Sequence, residues 1–272
     1  MIFEVMVVVG AGVLSTALRS FENQALFRVG TLGFVATSFM AGWLLGGSVL
    51  LGVVFASTWF LLPWLEILTR VRKLRLPLNR ALEKSPPPSA SKFPDFSELS
   101  DEMEAVGFEH ADDVDWKHDE TRQFYRLFYN AERRVAAAIC LVEQERFTFF
   151  YVTLTSRATD GRVLMTWNYP FSYGMHLLPQ MVLNRVDEDL DIGQLAEAHA
   201  TFLSGLSIET SALEAREIQS LRGDVETELR SQLEHNIARG ILTRDGEHMI
   251  RYSLRGMFFL WGQFLREFVR FS

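Results

Sequence analysis

Hydrophobic residues are distributed unevenly along the chain, and the longest apolar stretch lies near its beginning. Residues 29–68 contain a single charged side chain, Glu66, close to the far end. As one helix these residues would extend about 60 Å, twice the roughly 30 Å of a bilayer's hydrocarbon core. Because Gly46-Gly47-Ser48 is a turn signal in the middle, the pattern predicts a transmembrane helical hairpin with spans at about 30–45 and 49–68.

A shorter apolar run at residues 6–18 precedes the hairpin and predicts a third span at about 5–19. Glu4 precedes this run and Arg19 follows it, which is the reverse of the charge order in a secretory signal. An interfacial helix is the alternative, because the run is short for a span. The glycines within residues 8–15 match part of a dinucleotide-binding fingerprint, but no strand–helix–strand unit follows, so we expect no cofactor.

From residue 121 to residue 168 the pattern changes to that of β-strands. Aromatic and β-branched residues concentrate in four runs separated by polar breaks, at 124–129, 134–142, 147–155 and 162–167. These runs predict a four-stranded antiparallel meander. The second and third runs are apolar on both faces, so we expect helices to cover both sides of the sheet. The predicted fold class is a membrane-anchored α+β protein.

Other segments of this domain have helical or turn patterns. Amphipathic helices are predicted at 97–106, from Asp189 or Asp191 through Leu206, and at 211–239, and a hairpin is predicted at 240–253. Residues 76–94 are rich in proline and serine, which predicts an extended spacer between an anchor at 1–75 and a domain at 95–272. Docking of a proline-reading module to this spacer is the alternative.

Charge divides the chain near the same boundary. Up to Pro94, nine Lys and Arg face four Asp and Glu, whereas after it eighteen face thirty. A domain this acidic would repel phosphate backbones, which argues against nucleic acid as a partner. Basic residues flank the hairpin at Arg19 and Arg28 and at 70–75, so the positive-inside rule predicts a bacterial inner-membrane protein whose C-terminal domain is cytoplasmic.

The hairpin and its basic end supply the candidates for membrane association. Small residues four positions apart let helix backbones approach closely, either within the hairpin or in contact with itself or other membrane-complex subunits. Two tryptophans suit the membrane interface. The candidates are Gly42, Gly46, Ser48, Gly52, Trp59, Trp64, Arg70, Arg72, Lys73 and Arg75. The predicted partners are therefore membrane lipid and other subunits or a second copy.

An aromatic loop after the fourth strand is the candidate ligand-binding site. Aromatic walls with a few convergent polar groups are typical of small-molecule pockets. The candidates are Asn168, Tyr169, Ser172, Tyr173 and His176. A packed loop without a ligand is the alternative interpretation.

Signals of catalysis or metal binding are weak. Cys140 lies in an apolar run and is interpreted as a buried, inert thiol. The acidic run at 109–120 has no glycine for a calcium loop and is interpreted as a solvated connector, with a site at Asp113, Asp115 and His118 as the alternative. His199 shares the apolar stripe of its helix and is interpreted as a hydrogen-bonded core residue. We therefore predict no catalytic and no metal-binding residues.

The last apolar segment, 257–271, is too short and too charged to cross a membrane, yet its apolar face is strongly aromatic. One interpretation is a cover for the second face of the sheet. The alternative is an interfacial or partner-docking helix, whose candidate residues are Phe258, Trp261, Phe264, Arg266, Phe268 and Arg270.

These observations favour a non-enzymatic membrane accessory or scaffold subunit whose cytoplasmic α+β domain mediates protein–protein assembly. A membrane-tethered sensor that uses the loop at 168–176 is the second hypothesis. A hydrolase or metal enzyme that uses His176, His199 or the run 110–118 is the third.

Overall fold

The computed structural model describes residues 2–21, 23–144, 147–171, 173–186 and 189–270. The chain divides into two compact units. Unit 1 comprises Met1–Arg75, Gly240–Asp245 and Arg251–Ser272, and unit 2 comprises Leu76–Arg239 and Gly246–Ile250. The predicted boundary after residue 75 coincides with this division, but the C-terminal segment groups with the N-terminal helices.

The described N-terminal part of unit 1 consists mainly of helices. Helices α1 (Ile2–Arg19) and α2 (Gln24–Met40) are followed by a π-helical turn at Ala41–Leu45 and by α3 (Val49–Thr69). Three segments are long and apolar enough to cross a membrane: Ile2–Arg19, Ala25–Leu45 and Val49–Lys73. The chain turns at Gly47, whose φ of +67° suits glycine, and Ser48 caps α3 by accepting a hydrogen bond from the Leu50 amide at 3.2 Å.

Glycines determine how closely these helices approach. A Cβ atom on Gly42 would lie 2.5 Å from the Leu51 carbonyl oxygen, and one on Gly52 would lie 2.8 Å from that of Phe39. A Cβ on Gly30 would lie 2.7 Å from the Ser15 carbonyl oxygen, so α1 also approaches α2 closely. The small residues are therefore used for packing within the unit, as the first of the two interpretations predicts.

Unit 2 is built on a seven-stranded sheet, where the sequence predicted four strands. Its order is β2-β3-β4-β5-β6-β7-β8, antiparallel except for the parallel pair β7–β8. The strands are β2 (Glu83–Lys84), β3 (Glu109–His118), β4 (Thr121–Asn130), β5 (Val135–Gln144), β6 (Phe147–Arg157), β7 (Val163–Trp167) and β8 (Met181–Arg185). Strands β4 to β7 are the predicted meander. A two-residue strand, β1 (Leu76–Pro77), pairs separately with Met249 and Ile250.

Helices cover both faces of this sheet, as predicted. On one face α4 (Phe96–Ala105) and α5 (Ile192–Gly205) pack on a core that includes Phe124, Phe128 and Ile139. On the other face α6 (Leu221–Ala238) packs on a core that includes Trp116, Tyr125 and Cys140. Both cores draw on β5, because its alternate residues point to opposite faces.

The predicted acidic connector is wrong, because residues 109–118 form β3. Val114 and Trp116 point into the core, whereas the intervening carboxylates pair with arginines of β4. Asp113 binds Arg126 at 2.7 Å, and Asp115 binds Arg122 at 2.6 Å. The strand alternation was present in the sequence, but partners for the carboxylates come only from the neighbouring strand.

The prediction that residues 76–94 form an extended spacer without a core is also wrong. Strand β2 pairs with β3, with Glu83 opposite Asp115. Leu82 is buried in one core of the sheet and Phe93 in the other. The proline run therefore joins two segments that are both fixed to unit 2.

The predicted hairpin at 240–253 forms β9 (Leu242–Asp245) and β10 (Met249–Tyr252) with a turn at Gly246. Helix α7 (Leu254–Arg270) follows. It packs within unit 1, where the ring of Phe258 meets that of Trp64 at 4.8 Å between centroids. The expectation that this helix covers the sheet is therefore wrong. Its aromatic face meets the equally aromatic end of α3, a partner that periodicity does not specify.

Candidate functional site

The candidate site in unit 2 is a cleft of about 620 Å³ beside α5. Its floor is apolar and is lined by buried side chains: Phe108, Val135, Leu154, Ala196, Leu203 and Ile208. Its rim is polar and exposed: Arg133, Ser204, Ser207, Glu209 and Thr210. A volume of several hundred Å³ with this division of apolar and polar lining is typical of small-molecule pockets.

Local sequence signals position α5 beside the cleft. The Asp191 carboxylate accepts a hydrogen bond from the Gln194 backbone N–H at 2.8 Å, and the Gln194 side-chain oxygen accepts one from the Asp191 backbone N–H at 3.3 Å, which forms a capping box. Ile192, Leu195 and His199 then lie on one stripe toward the sheet. After Gly205 the chain turns back at Ser207, whose φ is +57°, and the Ile208 amide bonds the Leu203 carbonyl at 3.0 Å. This turn brings the polar rim over the apolar floor.

A buried polar network holds His199, which lines the cleft. His199 Nε2 lies 3.0 Å from Ser156 Oγ, and His199 Nδ1 lies 2.8 Å from Thr166 Oγ1. The Asn184 amide donates to Thr166 Oγ1 at 3.3 Å. Burial lowers the pKa of His199 to about 4, so the imidazole is neutral at pH 7, with one donor and one acceptor nitrogen. The interpretation of His199 as a hydrogen-bonded core residue is confirmed.

The geometry of this network does not suit nucleophilic catalysis. Ser156 has no exposed surface, so a substrate cannot reach its hydroxyl without rearrangement of the strand. Both imidazole nitrogens already have hydroxyl partners, and among the described residues no carboxylate contacts His199. A triad needs an accessible nucleophile and a carboxylate that orients the base. The network therefore fixes α5 to β6 and β7.

The aromatic loop at 168–176 is held by interactions within the protein. The Asn168 side-chain oxygen accepts a hydrogen bond from the Val152 amide at 2.6 Å, and the Tyr169 ring packs edge-on against Tyr151 at 4.9 Å. The His176 amide and carbonyl both bond the side chain of Asn236, each at 2.8 Å. Tyr173 lies 5.4 Å from Trp167, measured between ring centroids. Ser172 lies outside the described residues.

Two buried polar atoms beside this loop support the hypothesis that it binds a ligand. Trp167 Nε1 and Gln232 Oε1 have no hydrogen-bond partner among the described residues, although both residues are more than nine-tenths buried. One atom donates and the other accepts, so each is able to bind a small polar molecule or a water. Ligand binding by this loop stays a prediction.

The carboxylates of Asp113, Asp115 and Glu228 are occupied by ion pairs. Asp113 and Asp115 have lowered pKa values, because hydrogen bonds to arginine, and to Ser85 in the case of Asp115, outweigh the opposing effect of burial. Burial raises the pKa of Glu228 on α6, which nevertheless pairs with Arg157 of β6. Within the described ranges, no group of three or more His, Cys, Asp and Glu side chains is placed to hold a metal ion.

The rim residues of the cleft were missed by sequence reasoning. Arg133 lies in the turn after β4, whereas some seventy positions later Ser204 lies in the last turn of α5 and Ser207, Glu209 and Thr210 follow that helix. Each is an ordinary exposed polar residue in its own segment, and only the sheet brings the two segments together. The one advance signal was His199, a polar residue on an apolar helix stripe.

In unit 1 the membrane-association candidates have mixed roles. Trp59 Nε1 donates to Ser38 Oγ at 2.7 Å within the helix packing, and Trp64 packs against Phe258 and Trp261. Arg70 pairs with Glu66, and Arg75 pairs with Asp245. Arg72 and Lys73 are exposed.

For α7, Trp261 Nε1 donates to the Phe60 carbonyl at 2.8 Å, whereas Phe264 and Arg266 are exposed. The side chains of Phe268 and Arg270 lie outside the described part of the structure.

Comparison of the chain with protein-family models, with curated proteins and with solved structures found no match in any of the three.

Proposed function

We propose that this protein is a non-enzymatic, membrane-anchored receptor whose unit 2 binds a small amphipathic molecule in the cleft beside α5. The observation that carries the proposal is the cleft itself, about 620 Å³ with an apolar floor and a polar rim. It deepens the sensor hypothesis but assigns the ligand to the cleft rather than to the loop at 168–176.

The lining limits the chemistry of the ligand. Phe108, Val135 and Leu154 favour a ligand with an apolar body, since burial of that apolar surface stabilises the complex by about 25 cal/mol per Å². Arg133 and Glu209 on the rim favour a polar end that accepts from the guanidinium and donates to the carboxylate. The neutral His199 network contributes shape rather than charge.

The experiment is a ligand screen on the full chain in nanodiscs, read as a shift in thermal unfolding. Ala200→Trp fills the cleft, because Ala200 lines it and is exposed on α5. Glu197→Trp is the matched control, since Glu197 is exposed on the same helix but does not line the cleft. We expect a hit from amphipathic compounds that Ala200→Trp weakens at least tenfold and Glu197→Trp leaves unchanged. A hit that both variants weaken equally contradicts the proposal. The absence of any hit across broad metabolite and lipid panels contradicts it as well.

The proposal includes three spans and a cytoplasmic unit 2. With α1, α2 and α3 crossing the membrane, the basic residues at 19–28 and 70–75 face the cytoplasm and the N-terminus faces out. The test is maleimide labelling of intact cells. Ile2→Cys reacts without permeabilisation, whereas Ala90→Cys, exposed in unit 2, reacts only after it. Labelling of Ala90→Cys from outside overturns this orientation.

An assembly subunit is the second candidate, and the sheet edge favours it. Strand β8 is the last strand of the seven-stranded sheet, so one side of its backbone faces away from β7. Edge strands of this kind bind extended segments of partner chains. Gentle detergent extraction followed by mass measurement tests the idea: a strictly monomeric particle that brings down no other protein contradicts it.

A further inference from the structure

We propose that unit 1 binds anionic phospholipid headgroups at a basic rim formed by Arg72, Lys73, Arg255 and Arg266. This inference is independent of the cleft in unit 2. It begins from charge: unit 1 contains eleven Lys and Arg against five Asp and Glu, whereas unit 2 contains sixteen against twenty-nine. The net charges are +6 and −13, which together give the −7 of the chain.

The aromatic contact between α3 and α7 locates the rim. Trp64 packs against Phe258 and Trp261, with ring centroids 4.8 and 6.0 Å apart. Trp64 is five residues from the end of α3 at Thr69, and Phe60, whose carbonyl accepts from Trp261, is nine residues from it, so the contact extends from about 8 to about 14 Å from that helix end. The outer part of the contact matches the depth of interfacial helices, whose apolar faces enter about 5–10 Å below the headgroups.

The four cations lie close to this contact along the chain. Arg72 and Lys73 follow the end of α3, and Arg255 and Arg266 lie six residues before and five residues after Trp261 on α7. Along the helix axis those separations are about 9 and 8 Å. All four side chains are exposed. Trp, Phe and Arg in this arrangement are typical of the membrane interface, where the aromatic rings anchor and the guanidinium groups reach phosphate.

Neighbouring charges leave these four cations available. Within the described residues, Arg70 is paired with Glu66, while Arg75 and Arg251 share Asp245. None of the four rim cations has a carboxylate partner among the described residues. Unpaired cations at this depth are complementary to phosphate. Each Lys or Arg near an anionic membrane surface raises the binding constant for that surface about fivefold.

The test is a lipid competition on the full chain. Nanodiscs contain equal parts of phosphatidylcholine and phosphatidylglycerol, and native mass spectrometry after release counts which lipids remain bound. We expect phosphatidylglycerol to be retained in several-fold excess. Arg255→Gln combined with Arg266→Gln lowers that excess at least fivefold, and raised salt lowers it as well. Arg222→Gln combined with Arg239→Gln, an equal charge change at a half-buried and an exposed position of unit 2, leaves it unchanged.

Equal retention of the two lipids, or an equal loss in both double variants, overturns the proposal. Arg255→Lys combined with Arg266→Lys separates charge from folding, because it keeps both charges. If this variant loses lipid preference while retaining the thermal stability of the original chain, a simple headgroup interaction is also contradicted.

Discussion

At the scale of residues, burial decides the chemistry of the two most suggestive side chains. A histidine and a cysteine are both common catalytic groups, yet in this protein each is buried in the core of unit 2. His199 is 2% exposed and Cys140 is 2% exposed. Burial disfavours the charged form of each group, so the imidazole stays neutral and the thiol stays protonated.

His199 makes the stability of unit 2 depend on pH. Its pKa is about 4 in the folded protein and 6.5 when unfolded, so between these values the unfolded chain binds the proton and the folded one does not. The free energy of unfolding therefore falls as pH drops from 6.5 to 4, by up to about 3 kcal/mol from this group. The measurement is urea unfolding of the solubilised chain across this range, followed by hydrogen exchange in α5.

His199→Gln retains a donor and an acceptor but cannot titrate, so we expect it to remove this part of the pH dependence. His248→Gln, at an exposed turn, serves as the control and leaves the dependence intact. An identical pH profile in the wild-type chain and His199→Gln would show that the imidazole does not couple folding to protonation.

Cys140 is predicted to be unreactive in the folded protein. Burial raises the pKa of its thiol to about 12, so the nucleophilic thiolate is scarce at neutral pH. Maleimide mass labelling checks this: we expect no adduct in native buffer and one adduct in denaturant. Rapid labelling of the native chain contradicts this prediction. It would also mean that Cys140 adds its own signal to the labelling of Ile2→Cys and Ala90→Cys.

At the scale of elements, close helix packing in unit 1 depends on missing side chains. Gly52→Ala places a Cβ atom 2.8 Å from the Phe39 carbonyl oxygen and forces α2 and α3 apart. Elsewhere in a helix the same change stabilises by up to about 1 kcal/mol, because alanine is the better helix former. We expect Gly52→Ala to lower the melting temperature in detergent and Gly10→Ala, with no heavy atom within 4 Å, to leave it equal or higher. Destabilisation by both, or by neither, argues against this packing.

At the scale of the whole molecule, the grouping of α7 with the N-terminal helices has a direct test. Deletion of residues 254–272 removes the partner of Trp64 and the donor to the Phe60 carbonyl. We expect faster hydrogen exchange at the end of α3 and unchanged exchange in β4 and β5. If α7 covered the sheet instead, β4 and β5 would lose protection while α3 kept its own.

The accuracy of the sequence-based predictions followed the range of the interactions involved. Strands β4 to β7 were recognised because apolar residues in adjacent runs identify them locally. Strands β2, β3 and β8 were missed. Strands β2 and β8 are short, with two and five residues. Strand β3 carries carboxylates whose partners, Arg122 and Arg126, lie on the next strand. The rim of the cleft was missed for the same reason, because Arg133 and Glu209 come to line the same cleft only after folding.

The sequence by itself determined three apolar segments, the turn at Gly46-Gly47-Ser48, the meander and the partition of charge, because each depends on neighbouring residues along the chain. The tertiary structure decided where the last helix packs, how the proline-rich segment joins the sheet and where a cleft opens. Those outcomes depend on which of several compatible apolar faces meet, and the free-energy differences between such pairings are set by shape and hydrogen bonding rather than by hydrophobic pattern.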